Sequence, residues 1–371
     1  MRIGVPKEIK PQENRAGLTP PAVHELVRHG HEVLVQAGTG EGIGCGDEQY
    51  GAAGARIVAD AAAVFGGAEL IVKVKEPQPS EIALLARGQV LFTYLHLAPD
   101  PAQTQGLLAS GCTAIAYETI TDAQGRLPLL APMSEVAGRM SVQVAAVALQ
   151  EPNGGRGVLL GGVPGVAPGR VVVLGGGVVG THAAKMAVGL GAEVTVLDRS
   201  LQRLRELDDL FRGRVRLLFA SAQEVEQAAL AADVVVGAVL VPGAAAPKLL
   251  TRAQVARMQS GAVLVDVAID QGGCFETSRA TTHAAPTYVV DGVVHYCVAN
   301  MPGGVPRTST WALNNATLPF TLQLAGKGWR QACRDDAHLR AGLNVHDGSI
   351  THAAVAASLG LPFVPPDEVL A

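Results

Sequence analysis

The chain has 371 residues and a formal net charge of −4, with 48% hydrophobic residues but only 4% aromatic. That length predicts about two domains with proper cores, and an Ala/Val/Gly-rich interior suits helices packed closely on sheets. A weakly charged chain with no long basic run argues against nucleic acid, and apolar stretches interrupted by Gly, Pro and Arg argue against a membrane span.

From the N-terminus, residues 2–6, 32–35, 70–74, 90–93 and 113–116 read as buried strands with helical stretches between them. Thr19-Pro20 has the form of a helix N-cap followed by proline at the first helical position. Lys7, Glu8 and Lys10 stand where a signal peptide needs an apolar core, so none is expected. The five cysteines (Cys45, Cys112, Cys274, Cys297 and Cys333) lack C-x-x-C spacing and read as buried thiols of a reducing, cytoplasmic compartment.

Three residues of this first third carry usable chemistry. Arg15, in the polar loop after the first strand, can hold a carboxylate in a bidentate fork; the plainer reading is a solvated surface arginine. Lys75 ends the strand 70–75, and strand alternation would put Lys73 on the same side. Strand tips are where α/β ligands collect, although lysines there also discourage edge pairing. His96 follows the strand 90–93 and can move a proton near neutral pH, or be an ordinary packed histidine.

A helix is expected over 133–150, then turn-rich passages at 152–155 and 161–169. The β-branched run 171–174 stops at Gly175, Gly177 and Gly180, and Asp198 ends a second strand over 193–197. This is the G-x-G-x-x-G spacing of a dinucleotide-binding βαβ unit, with the acid about twenty residues on. The first glycine permits the tight turn, the second lets the backbone approach a pyrophosphate, and the third lets helix and strand pack closely. Val178 and Val179 complete the turn, whose helix offers free N–H groups to phosphate. Asp198 favours NAD, since a carboxylate accepts from a ribose 2′-OH, whereas Arg199 could pair with the 2′-phosphate of NADP.

Beyond it, Ser200 caps a helix through Phe211, and Ser221 with Glu224 and Thr251 with Gln254 read as capping boxes. Residues 233–239 and 262–267 read as further strands. Asp270 follows as the tip of the second of these, or as a turn cap before Gly272-Gly273. From Ser309 the pattern is mainly helical. The histidines and cysteines lack metal-ligand spacing, so no metal is expected.

Several runs are specific in combination: residues 1–10, Glu13-Asn14-Arg15, residues 72–77, Tyr94-Leu95-His96-Leu97-Ala98, residues 132–138 and Asn300-Met301-Pro302. Over nearly its whole length the chain resembles the alanine dehydrogenase family, which includes the NAD-binding subunit of transhydrogenase. The resemblance implies NAD-dependent, reversible oxidative deamination of L-alanine to pyruvate and ammonium in a homohexamer. It implies that Arg15 and Lys75 bind substrate and that His96 and Asp270 are the acid/base pair. Ser134, Asp198, Arg203, Val239, Leu240, Val267, Ala268, Ile269, Arg279, Val298, Ala299, Asn300 and Met301 would line the cofactor. The expected fold is α/β, with two Rossmann-like domains and parallel sheets. The NAD domain (129–304) is inserted into a discontinuous substrate domain (1–128 and 305–371). Two departures stand out: Ala220 replaces an expected serine, and Gln323 and Lys327 stand where magnesium contacts would need acid and histidine. The rival readings are the transhydrogenase subunit, against which the Lys75/His96 pair speaks, and a non-catalytic NAD-sensing module.

Overall fold

The computed structural model describes residues 1–239 and 246–371. The chain divides into two compact units, Met1–Met133 with Val305–Ala371, and Ser134–Gly304.

In the first unit β1 (Arg2–Val5), β2 (Glu32–Gln36), β3 (Arg56–Val58), β4 (Leu70–Val72), β5 (Val90–Thr93) and β6 (Thr113–Ala116) are all parallel. The second contains β7 (Arg170–Leu174), β8 (Glu193–Asp198), β9 (Arg216–Phe219), β10 (Val234–Gly237), β11 (Val263–Asp266), β12 (Thr287–Val290) and β13 (Val293–Tyr296). The chain then returns to the first sheet as β14 (Leu343–His346) and β15 (Ser349–Ile350).

Among the described residues the sheet orders are β15-β14-β6-β5-β4-β1-β2-β3 and β12-β13-β11-β10-β7-β8-β9. Counted from the first strand of each unit, both parallel sets therefore run 3-2-1-4-5-6, the doubly wound order that leaves a crevice where the winding reverses. In the first unit that reversal lies between β1 and β4, and in the second between β7 and β10.

The sheets depart from the parallel expectation at their margins, where β12, β14 and β15 are antiparallel. The cause is local. Asp291-Gly292 and Asp347-Gly348 each place two successive residues at positive φ, 51° and 81° in the first and 42° and 81° in the second. Asp-Gly in that conformation closes a two-residue hairpin. The mainly helical expectation after Ser309 holds, with one short hairpin inside it: Pro306–Lys327, Trp329–Asp335, Ala337–Arg340, Ala353–Leu359 and Pro366–Leu370 are helical, and β14 and β15 lie between the third and fourth of these.

Capping residues act much as their chemistry predicts. Thr19 accepts from the Ala22 N–H to open Pro20–Arg28, and Ser200 accepts from the Arg203 N–H to open Leu201–Phe211. Thr251 and Gln254 form a full capping box, while Ser221 supplies its hydroxyl half by accepting from Glu224 N–H. The helix expected over 133–150 spans Ala131–Ala148. One core packs Leu34, Phe65, Ile71, Leu91, Leu107 and Val345, and a separate one packs Val172, Leu197, Val235, Leu264 and Phe275. No helix among the described residues is long and apolar enough to cross a membrane.

Candidate active site

Strand β4 ends at Val72, three residues before Lys75. Its alternation therefore does not extend to the lysines, and Lys73 and Lys75 take different partners. Lys73 is fully buried, with Nζ 3.0 Å from Glu8 and 2.7 Å from Glu81. The other oxygen of Glu8 accepts the backbone N–H groups of Val74 and Lys75 at 2.7 and 3.3 Å. Burial pushes the Glu8 carboxyl up against the opposing pull of Lys73 and the Val74 N–H. This buried triad holds the backbone from which Lys75 projects.

Lys75 Nζ lies 3.4 Å from Glu76 Oε1, and the same oxygen is 2.7 Å from His96 Nδ1. Lys10 Nζ meets the other Glu76 oxygen at 2.8 Å. Burial alone would raise the Glu76 carboxyl, but the His96 hydrogen bond and the Lys75 and Lys10 contacts hold it far below the usual range. His96 keeps 40% of its side chain exposed, so one face of the ring reaches solvent while Nδ1 is held. Its backbone is left-handed, with φ of 47°, a conformation costing roughly 1–2 kcal/mol for a residue with a Cβ. Glu118 compensates by accepting the N–H groups of Leu95 and His96, the latter at 2.6 Å. Tyr94 stacks on the imidazole with ring centroids 5.7 Å apart and donates its hydroxyl proton to Leu129 O.

Arg15 is buried rather than a solvated surface arginine, at 2% exposure. Glu13 grips the guanidinium through Nε at 2.7 Å and Nη2 at 2.6 Å, and Nη1 contacts Met133 Sδ. The grip fixes the plane of the fork.

In the second unit the three glycines play three separate parts. Gly175 has φ of 102°, and a Cβ there would meet Ala238 O at 2.8 Å. A Cβ on Gly180 would run into the carbonyl oxygen of Gly175, so helix and turn pack backbone to backbone. A Cβ on Gly177 would meet no protein atom within 4 Å. Gly177 caps the helix Val178–Gly189 without a side-chain bond to its first N–H groups. These features fit a pyrophosphate, which needs close backbone approach and free N–H donors. Val178 and Val179 open that helix.

Asp198 Oδ2 accepts from Gly176 N–H at 2.6 Å and Oδ1 from Ser200 N–H at 2.7 Å. Arg203 donates Nε to Gly176 O and Nη2 to the Thr181 hydroxyl, both at 2.7 Å. Arg203 therefore braces the glycine turn from behind. Ala220, for its part, donates its N–H to Asp198 O.

Asp270 is not the tip of a strand. β11 stops at Asp266, and Asp270 lies in the short helical turn Ile269–Gln271, ended by Gly272 at φ of 88°. Asp266, buried, accepts from the Ala268 and Cys274 N–H groups and the Ser278 hydroxyl, which shapes that turn. Val267 N–H bonds Gly237 O. Asn300, at φ of 59°, donates its N–H to Asp270 Oδ2 at 3.5 Å, so the structure brings these two together. Val298 bridges Thr281, Ala299 N–H bonds Thr281 O, and Met301 is buried. Arg279 lies over the Tyr288 ring at 4.0 Å, and Ser134 is half-buried in Ala131–Ala148. Val239 is half-buried after β10, while Leu240 lies outside the described residues.

Residues 4–137 match the N-terminal domain, and 141–353 the C-terminal domain, of the family described as alanine dehydrogenase/PNT. The chain belongs to the alanine dehydrogenase/PNT family. The alanine dehydrogenase of Halomonas elongata is 63% identical across 98% of both chains. A solved L-alanine dehydrogenase is 53% identical with a TM-score of 0.95, covering 97% of this chain and 99% of that one. The transhydrogenase from Sinorhizobium meliloti stands further away, at 25% identity and a TM-score of 0.81 over 95% of this chain.

Within this alanine dehydrogenase-like framework, sequence inspection missed the carboxylates that hold the site: Glu8, Glu13, Glu76 and Glu118. Glu13 and Glu76 stand beside the basic residues they grip, so the charge alternation carried some signal. Glu118 is 22 residues from His96, and only the pairing of β5 with β6 brings it near.

Proposed function

We propose that this chain catalyses the NAD-dependent, reversible oxidative deamination of L-alanine, with water, to pyruvate, ammonium, NADH and a proton. The observation that carries the reading is the Lys75–Glu76–His96 cluster at the strand reversal of the first unit, in a chain similar along its whole length to alanine dehydrogenases. The nicotinamide, when bound, supplies the hydride acceptor for the substrate Cα.

The residues of the chain do the rest. Arg15, its plane fixed by Glu13, and Lys75 attract the substrate carboxylate and orient the amino acid. The substrate ammonium group gives up a proton, and loss of hydride then leaves an iminium at Cα. His96 takes a proton from the water that adds there, forming a carbinolamine, and that proton is returned as the C–N bond breaks. Asp270 sets the protonation of the departing amine. The glycine turn, Asp198 and the segments around Val267 and Asn300 bind the dinucleotide. In this reading the unit 134–304 carries NAD, and the other chooses the substrate.

The deciding experiment is NADH formation from L-alanine, D-alanine and L-serine, each with NAD and with NADP. Rapid NADH formation with L-alanine and NAD is expected. Absence of any L-alanine-dependent signal overturns the proposal.

A further inference from the structure

Three donors converge on the two oxygens of Glu76. His96 Nδ1 and Lys75 Nζ share Oε1 at 2.7 and 3.4 Å, and Lys10 Nζ meets Oε2 at 2.8 Å. The carboxyl is largely buried, with 11% of its side chain exposed. An ionised carboxylate only accepts hydrogen bonds, and a lysine ammonium only donates. The nitrogen of His96 that faces Oε1 must therefore carry a proton, which in the neutral ring leaves Nε2 with the lone pair.

The geometry points to Glu76 as the positioning residue that selects the tautomer of His96, holding the proton on Nδ1 so that Nε2 is the nitrogen that takes the proton from water. The inference rests on the reading of His96 as the acid/base residue. Glu76 acts on the reaction through the ring it holds.

An amide cannot replace this carboxylate. If glutamine turned its oxygen to His96 and Lys75, its NH2 would face the Lys10 ammonium. If it turned its oxygen to Lys10, its NH2 would face Lys75 and would offer a proton to Nδ1. The second arrangement forces the ring into the Nε2–H tautomer and removes the base. Either way two donors oppose each other in a largely buried place. Glu118 adds the other constraint, since its bonds to the Leu95 and His96 N–H groups hold the left-handed backbone that carries the ring to Glu76.

The test combines kinetics with 15N spectroscopy of the full chain, its histidine signals assigned by difference against His96→Asn. At alkaline pH, wild-type His96 is expected to show a protonated Nδ1 and an unprotonated Nε2. Glu76→Gln should lower kcat on the order of 10²–10⁴-fold, the worth of a correctly held acid/base, while KM for NAD stays the same. The imidazole should also shift toward the other tautomer. Glu76→Asp, which keeps two acceptor oxygens, should recover most of the lost kcat. A purely structural role would move neither the tautomer nor kcat without KM. A wild-type His96 with its proton on Nε2 overturns the inference, and so does an active wild type whose folded Glu76→Gln variant keeps kcat within about threefold. If Glu76→Gln does not fold, the wild-type spectrum decides alone. A wild type with no alanine-dependent activity overturns the proposed function instead, and the tautomer measurement still stands.

Discussion

In the second unit the chain leaves β7 through Gly175, Gly176 and Gly177 and enters a helix whose first N–H groups have no side-chain cap. In the first unit it leaves β1 through Glu8, Lys10 and Glu13 to the buried Arg15, and the reversal strand β4 leads into Lys73, Lys75 and Glu76. The two sheets share one strand order, so these loops occupy equivalent places beside the reversal. One crevice is lined by bare backbone and the other by paired charges. Backbone dipoles suit a phosphate, whose charge is fixed and whose shape needs close approach. A small substrate that must gain and lose protons needs side chains, and buried charges need partners. In the proposed function, the ion pairs around Glu76 and Arg15 are the physical consequence of doing side-chain chemistry in such a crevice.

Breaking the chemistry of the first unit should have the largest effect. His96→Ala is expected to lower turnover on the order of 10²–10⁴-fold while NADH still binds, which a fluorescence titration alongside the kinetics would show. Unchanged turnover removes His96 from the reaction and blurs the division between the units.

The glycine turn permits a sharper test within the second unit. Gly180→Ala forces a Cβ against the Gly175 carbonyl, and overpacking of this kind costs about 1–3 kcal/mol, read as a lower Tm. Gly177→Ala meets no protein atom, so its stability should stay within about 0.5 kcal/mol of the parent, yet NADH should bind about tenfold or more weakly. If Gly177→Ala binds NADH as well as the parent does, the backbone at that glycine is not where the pyrophosphate lies.

The smallest effect concerns pH. Glu76 is held below its ordinary value of 4.5, because the contacts from His96, Lys75 and Lys10 overcome its burial. Its contribution to stability is complete above that value and is lost as pH falls below it. Glu8 runs the other way, since burial raises it; its contribution is complete below 4.5 and is lost as pH rises through its folded value. Glu76→Gln should therefore flatten the dependence of Tm on pH below 4.5, and Glu8→Gln should flatten it above. Curves parallel to the parent's would show that these carboxyls do not titrate as their surroundings dictate.

Legibility in the sequence followed the range of the interaction that makes each feature. The glycine turn, the caps at Thr19 and Ser200 and the parallel strands depend on neighbours a few residues apart, and all could be read directly. The hairpin turns Asp291-Gly292 and Asp347-Gly348 were equally local signals, but the weak strands beside them hid two edges of the sheets. Lys75 and Asp270 read as strand tips because the runs before them continue past the ends of the regular strands at Val72 and Asp266. Beyond β4 the Lys73 N–H still pairs with Phe92 O, but the Val74 N–H goes to the buried Glu8, 66 residues away in the chain.

The sequence by itself determined that a dinucleotide fold sits mid-chain, that a second α/β region accompanies it, and which basic residues could do chemistry. Short-range patterning and covalent spacing carry that much. Only the tertiary structure decided that Arg15 is buried in the grip of Glu13, that Lys73 is buried between Glu8 and Glu81 while Lys75 meets Glu76, and that Glu76 and Glu118 hold His96. Those outcomes depend on charges brought together by sheet pairing and stripped of water, and neither condition is written in any single stretch of chain.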